Sequence, residues 1–565
     1  MLQKLKYLSS HIISFREFII LVILGAFVFF NGIFNSFVCD DFPQIVDNIH
    51  NLKLQNIPHH FLENFGVNSE KYQIFGTSYK PLFTTFYSVV YAFFGLNPLA
   101  FHFFQILLFI INSCLVFLLF KRFFNPHYAL ILSILFLIHP INSESAFYLA
   151  ATQDVLYFFF GITGLLILQK STSKKSIFSS FILLLLSLLS KETGGLFLFI
   201  SFFYLLLFKK KQMKAFIFGG ITTLTLYVGL KTYASQMIAH IAITVPIQKT
   251  DIFMRLFNVP SIFFFYIKTF FFPYELSMSH LWVHTNITFF NFVAPLLVAI
   301  SCTVLLSIFF KRIRKNKKLF RVFLFFLVWC IAGLMLHLQI IPLDGTVAER
   351  WFYFPMVGIL GMLGIIATYF KINLKSKKLI FGIIVIICLL SIRTFVRSFD
   401  WRNDLTIATH DLKVSKEAYN LEDELSFYYF TKKDYQNVKV HAQNSIEIYP
   451  TSVSYNNLGA ANFFLGNYKD SMDAYKKSLR FGDYQLTYDN VSALYLVYGD
   501  KKEGIEFIKK AIKKYPKDVA LWVNLAKLEY KHGNKENARI DITRAYELDR
   551  SSSVKYYYNK FHKNH

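Results

Sequence analysis

Residues 18–41 read FIILVILGAFVFFNGIFNSFVCDD, and the way this stretch is read decides the class of the whole chain. An apolar run of about 20 residues is the length at which a helix crosses a hydrocarbon core. The run ends on two adjacent carboxylates, Asp40 and Asp41, where desolvation and mutual repulsion make acids costly. Acids at membrane depth are functional-site candidates, so this pair is both the end of a span and the first part of a site. The run has a basic flank but no small-residue cleavage motif, so it reads as an anchor and not as a removable signal peptide.

Working outward, apolar runs alternate with short charged loops up to Arg397. Spans are expected near 18–38, 99–120, 127–140, 155–169, 177–190, 194–208, 215–233, 292–310, 320–340, 352–370 and 379–396, eleven in all. The runs 127–140, 177–190 and 194–208 are short for a bilayer and must recruit polar flanks or sit in a protected interior. Residues 82–94 and 257–273 read as interfacial or re-entrant helices, with Lys268 snorkelling. Counting 257–273 as a twelfth span would put the basic loop from Lys311 to Arg321 on the opposite side from the other basic loops.

Those basic loops carry Lys121 and Arg122, Lys170 to Lys175, Lys209 to Lys214, and Lys371 to Lys378, and they share a side with Lys4, Lys6 and Arg16. The positive-inside rule then places the N-terminus in the cytoplasm. Eleven spans leave everything after Arg397 outside a bacterial cytoplasmic membrane, or in the lumen of the endoplasmic reticulum if the cell is eukaryotic. The formal net charge of +25 is therefore a topology signal. It argues against nucleic-acid binding, where basic charge should gather on a soluble module. Of the cysteines, Cys114, Cys302, Cys330 and Cys388 lie in spans and Cys39 at a span end, without disulfide or zinc-site spacing.

The composition then turns soluble. The boundaries expected are a membrane domain over 1–396, a linker over 397–418 and a repeat domain over 419–565. Gly466, Gly499 and Gly533 recur in LGNYKD, YGDKKE and HGNKEN. Around them stand Tyr455, Leu458 and Gly459, then Tyr488, Val491, Ala511 and Pro516, then Trp522, Leu525, Ala526 and Ala545. This is the tetratricopeptide pattern of paired helices, with a weaker copy over 419–451 ending in Pro450. Such pairs bury their faces only by stacking. The repeats read as a recruiting surface for a protein partner or acceptor, with a spacer as the plain alternative. The fold class expected is all-α: a polytopic membrane bundle followed by a soluble α-solenoid.

Charged residues gather at span ends on the outer side: Asp40, Asp41, Lys80, Glu144, Asp154, Lys191, Glu192, Glu349 and Arg350. In order, the stretches FVCDDFPQIVDN (37–48), SYKPLFTTFYSVVYAFFGLNPLAFHF (78–103), HPINSESA (139–146), SKETG (190–194) and VAERWFYFPMVG (347–358) carry them. Together with the repeat tail, they resemble the transmembrane and tetratricopeptide-repeat O-mannosyltransferase family of the GT-C superfamily. The chain departs from that family's pattern at Asn142, Gln153 and Lys80, where a second His, an Arg and an Arg are common.

The resemblance implies a GT-C-like bundle that transfers a hexose such as mannose from a polyprenyl-phosphate donor to a hydroxyl, by inverting displacement. The acceptor would be a protein Ser/Thr or a glycan. The first-loop Asp is the base in that superfamily, which assigns Asp40 the proton and Asp41 an orienting or metal-assisting role, with the order of the two neighbours open. A carboxylate can take the proton and others can stabilise an oxocarbenium-like transition state.

Lys80 and Arg350 are the candidate ligands of the departing phosphate, because an Arg fork and a Lys point charge both suit phosphate oxygens. Arg350 could instead pair with Glu349 or Asp344, and Lys80 could simply snorkel. Glu144 and Asp154 lie in a loop without a basic residue, so they must face water, sugar, metal or a distant cation. By analogy they contact donor or acceptor, as do, more weakly, His139, His102, Glu349, Lys191 and Glu192. His139 could instead terminate a helix, His102 could be a satisfied interface histidine, and Lys191–Glu192 could be a local pair. Carboxylates near phosphate would suit Mg²⁺ or Mn²⁺, but no ligand spacing demands one.

Two other classes compete. A transporter or flippase for lipid-linked sugars would share the spans, but inverted repeats and discontinuous spans in matching halves are absent from the sequence. A non-catalytic scaffold would need only one span to anchor its repeats. Asp40→Asn or Asp41→Asn separates the classes, since only an enzyme should lose sugar transfer while still folding.

Overall fold

The computed structural model describes residues 2–64, 66–68, 73–75, 78–170, 173–234 and 245–562. The side chains of residues 2–14, with Lys4 and Lys6 among them, lie outside the described set. The chain divides into two units: the first holds most of the chain through Ser415, and the second holds the strands Gly66–Asn68 and Gln73–Phe75 and the chain from Lys416.

Among the described residues the first unit is helical, and the short antiparallel pairing of Gly66–Asn68 with Gln73–Phe75 belongs to the second unit. Among the described residues, eight helices are long and apolar enough to cross a membrane. They are Phe15–Phe34, Pro98–Lys121, Leu149–Lys170, Lys210–Ala234, Phe289–Ile313, Lys317–Met335, Glu349–Tyr369 and Lys377–Asp400. The expected count of eleven is reached only with three shorter elements. Pro126–Ile138 is bent by 52° against Pro140–Phe147, and Lys174–Ser190 and Gly195–Phe208 have 17 and 14 residues. These are the runs whose sequence is itself short, and polar breaks (His139-Pro140, Lys191-Glu192) fix their ends.

The helices Pro81–Phe94 and Ile252–Phe271 are not among the eight. In Ile252–Phe271 the buried residues Asn258, Ser261, Ile262, Tyr266, Thr269 and Phe270 lie on one helical face, the pattern of a helix lying along a surface. Its Lys268 pairs with Glu275 at 2.5 Å, where snorkelling alone was expected. The core between helices is aromatic: Phe109, Phe136 and Phe158 surround Tyr353, and Phe197, Trp329 and Phe354 stack beside them. A Cβ on Gly358 would lie 2.5 Å from the Cys330 backbone nitrogen, so glycine there sets how closely Tyr353–Tyr369 and Lys317–Met335 approach.

The segment 397–418, expected as a linker, is helical through most of its length. Arg397 belongs to the helix Lys377–Asp400, and Asp404–Val414 forms another that buries Asp404, Ile407, Ala408 and Asp411. The fully buried Arg397 donates to both Asp411 carboxylate oxygens, at 2.6 and 3.0 Å, and to Asp400 at 3.2 Å. Burial alone would raise the Asp411 carboxyl, but Arg397 beside it holds it below the usual range. A buried charge must be paired, so this segment is tied to the membrane unit by the polar residues that made it look like a linker.

The second unit holds helix pairs from Tyr419–Thr431 to Lys535–Leu548 and a last helix, Ser552–His562. Gly466, Gly499 and Gly533 have φ of +82°, +98° and +95°, and Lys433 at the equivalent turn has φ +60°. A lysine in the left-handed region is strained, which explains why the first repeat was the faintest in sequence. Phe561 of the last helix stacks on Tyr530, centroids 4.6 Å apart, and closes the end of the stack.

Candidate active site

The loop after the first span is held in a fixed shape. Cys39 takes φ +49° and its amide donates to Asp404 Oδ1 at 2.8 Å. Asp41 is fully buried; its Oδ2 accepts from the Val38 amide and its Oδ1 from the Ala150 amide, both at 3.0 Å. Burial pushes this carboxyl well above the usual range, against the pull of the two amides, and the neighbouring Asp40 charge adds to the rise. Asp41 is a bracket between two loops. Asp40 is exposed, and among the described residues its carboxylate has no hydrogen bond or ion pair.

The second outer loop, 139–152, is buried at every position. Gln105 of Pro98–Lys121 donates to the carbonyls of Ser145 and Tyr148 at 2.9 and 2.7 Å and accepts from Thr152. The Tyr87 hydroxyl donates to the Leu149 carbonyl. This loop carries Glu144, whose two oxygens accept from the Arg350 side chain and from its backbone amide, the latter at 2.8 Å. The distant cation that a base-free acidic loop required is Arg350. Its partner is therefore Glu144 and neither Glu349 nor Asp344. Asp344 and Asp154 add negative potential at the same guanidinium, and Tyr148 lies among Asp40, Asp41 and Arg350.

Asp154 pairs with Lys191 at 2.6 Å, and Glu192 pairs with Lys231 at 2.6 Å. The local Lys191–Glu192 pair is thus replaced by two pairs to other helices, because the extended Lys191 (φ −162°) sends neighbouring side chains to opposite sides. Lys80 sits within the fields of Lys191, Asp344, Asp154 and Asp40; burial, then Lys191, pulls its amine down to about 8. Lys80, Lys191 and Arg350, from three separate stretches, therefore meet around Asp40, Asp154, Asp344 and Glu144. A lysine whose charge is disfavoured by burial and by a second lysine nearby suits an anion.

The remaining candidates are held by other partners, Glu349 in the combined field of Arg397 and Glu144. Glu349 is fully buried and accepts from the Ser277 amide at 2.6 Å. His139 accepts from the Ile141 amide at 3.2 Å through Nδ1 and faces the Phe270 carbonyl at 2.8 Å through Nε2, so both ring nitrogens serve the backbone. His102 Nε2 faces the Ser36 carbonyl at 3.3 Å. The buried acids Asp41, Glu144 and Asp154 each hold protein partners.

Two groups at the cluster were not foreseen. Tyr148 packs on Trp401, centroids 5.4 Å apart. His337 stacks on Trp351 at 5.1 Å and donates from Nδ1 to the Gly333 carbonyl at 2.9 Å. Burial, helped by Lys191 and Arg350, lowers His337 to about 3, so it is a neutral ring at neutral pH with Nε2 as an acceptor. Neither residue carries a charge or a motif, and the only sequence signal was an aromatic beside each acidic stretch.

Residues 79–230 match the family model described as dolichyl-phosphate-mannose-protein mannosyltransferase. Residues 453–481 match a tetratricopeptide-repeat model. The resemblance read from the motifs thus has a family match over the outer stretches from Tyr79 through Glu192 and another in the tail. No curated protein matches the chain. Among solved structures, ArnT from Cupriavidus metallidurans bound to undecaprenyl phosphate is similar over 81% of this chain and 79% of that chain, at 13% identity and a TM-score of 0.40. The MamA protein is similar over 26% of this chain and 81% of that chain, at 17% identity and a TM-score of 0.24. YrrB, a tetratricopeptide protein with an unusual peptide-binding site, is similar over 31% and 87%, at 12% identity and a TM-score of 0.25.

Proposed function

We propose that the chain is a membrane glycosyltransferase that moves mannose or a similar hexose from a polyprenyl-phosphate donor to a hydroxyl of a protein Ser/Thr or a glycan. The carrying observation is the contrast within one dipeptide: Asp41 is locked by two amides, while Asp40 stands exposed, without an ion pair among the described residues, in the field of Lys80 and of Tyr148, which also feels Arg350. The family match over residues 79–230 supports the same reading.

The acceptor oxygen attacks the anomeric carbon as the bond from that carbon to the phosphate oxygen breaks. Asp40 takes the acceptor's proton, and the polyprenyl phosphate leaves with its added negative charge facing the three cations. Attack opposite the leaving group inverts the anomeric centre. Were Mg²⁺ or Mn²⁺ bound, the carboxylate of Asp40 would be the residue to hold it, and the ion would supply further positive charge for the leaving phosphate. On this reading the site faces outward from a bacterial cytoplasmic membrane, and the repeats recruit a protein acceptor or partner.

Purified full-length protein in lipid nanodiscs, given radiolabelled polyprenyl-phosphate mannose and a membrane-protein extract, should label protein or glycan in a donor-dependent way. Glycopeptides from a deletion strain should lack the same hexose. Transport of the intact lipid-linked sugar across vesicles without any transfer would replace this reading with a flippase.

A further inference from the structure

At the end of the bundle opposite the acidic cluster, a cleft of about 800 Å³ opens between the helices Pro126–Ile138, Tyr353–Tyr369 and Lys377–Asp400. Its depth is aliphatic, with Ile131, Ile383, Ile384 and Ile387 on its walls, and its mouth carries Lys371, Lys375 and His127.

The cleft exists because Lys377–Asp400 is anchored at one end only. Thr394 donates to the Ile138 carbonyl at 2.6 Å, Asn31 donates to Ser398 at 3.0 Å, and Arg397 pairs with Asp411. From Lys377 to Arg393 no residue of this helix is fully buried. Across the mouth, the Tyr128 hydroxyl donates to the Ile372 carbonyl at 2.5 Å and ties the first turn of Pro126–Ile138 to the loop before Lys377. Ser376 starts the long helix without a side-chain cap, so first-turn amides add positive potential beside Lys375.

We propose that this cleft binds one anionic glycerophospholipid, its acyl chains among the isoleucines and its phosphate between Lys371 and Lys375. The volume is that of a small-molecule pocket, too small for another helix about 10–12 Å across. Basic pockets between spans on the cytoplasmic side favour acidic head groups over zwitterionic ones. The lysines of this loop share their side with the other basic loops, the side the positive-inside rule makes cytoplasmic. The proposal does not depend on the transferase reading, because it concerns the other end of the bundle.

Native mass spectrometry of the detergent-purified full chain tests it, with phosphatidylglycerol and phosphatidylcholine of matched chains as probes. Wild type should retain phosphatidylglycerol and lose phosphatidylcholine. The double variant Lys371→Gln/Lys375→Gln should retain about tenfold less phosphatidylglycerol, while Lys211→Gln/Lys214→Gln on another basic loop should bind as wild type does. Phosphatidylglycerol should raise the thermal unfolding temperature of wild type and of the Lys211/Lys214 variant but not of the Lys371/Lys375 variant. Equal retention of the two lipids by wild type, or an equal loss from both double variants, would overturn the proposal.

Discussion

Asp41 accepts a backbone hydrogen bond on each carboxylate oxygen, so Asp41→Asn must set an amide NH₂ against one of those N–H groups. A buried donor left unmatched costs about 1–3 kcal/mol, and the variant should show a lowered thermal midpoint together with lowered transfer. Lys80 supplies a pH test. Its amine, lowered to about 8 by burial and by Lys191, carries charge below that pH and loses it above. The kcat/KM for the donor, which reports the free enzyme, should therefore fall as pH rises through about 8. Lys80→Arg keeps its charge throughout this range and should remove that fall. A flat wild-type profile from pH 7 to 9 would show that Lys80 does not bind the donor phosphate.

At the level of elements, hydrophobic run length and turn glycines were legible in the sequence, and side-chain partnership was not. The runs at 127–140, 177–190 and 194–208 read as short and are short, because run length is a local property. The pairs Lys191–Asp154, Glu192–Lys231 and Arg350–Glu144 join separate helices, and the sequence gives no register between helices from which to derive them. The helical character of 397–414 was hidden for a related reason: Arg397 and Asp411 look solvated until their mutual pairing buries them, with Asp400 at the edge of the same pair. The repeat turns show how a local signal weakens. Lys433→Gly should relieve the left-handed strain at φ +60° and stabilise the first repeat by about 1 kcal/mol. Slower amide hydrogen exchange across Tyr419–Thr431 and Tyr435–Ile448 would register it; unchanged exchange would mean the strain is absorbed elsewhere.

For the molecule as a whole, the membrane unit brings acids and bases from five stretches of sequence to one end and leaves basic loops at the other. That separation is what a transferase acting on one side of a bilayer requires, and it follows from the even number of spans between Asp40 and each later outer loop. The most direct measurement compares sugar transfer and thermal unfolding for wild type, Asp40→Asn and Asp41→Asn in the same nanodiscs. Losing a general base should slow transfer by about 10²–10⁴-fold in Asp40→Asn with its unfolding temperature unchanged, while Asp41→Asn unfolds earlier. Undiminished transfer by a folded Asp40→Asn protein would contradict the account.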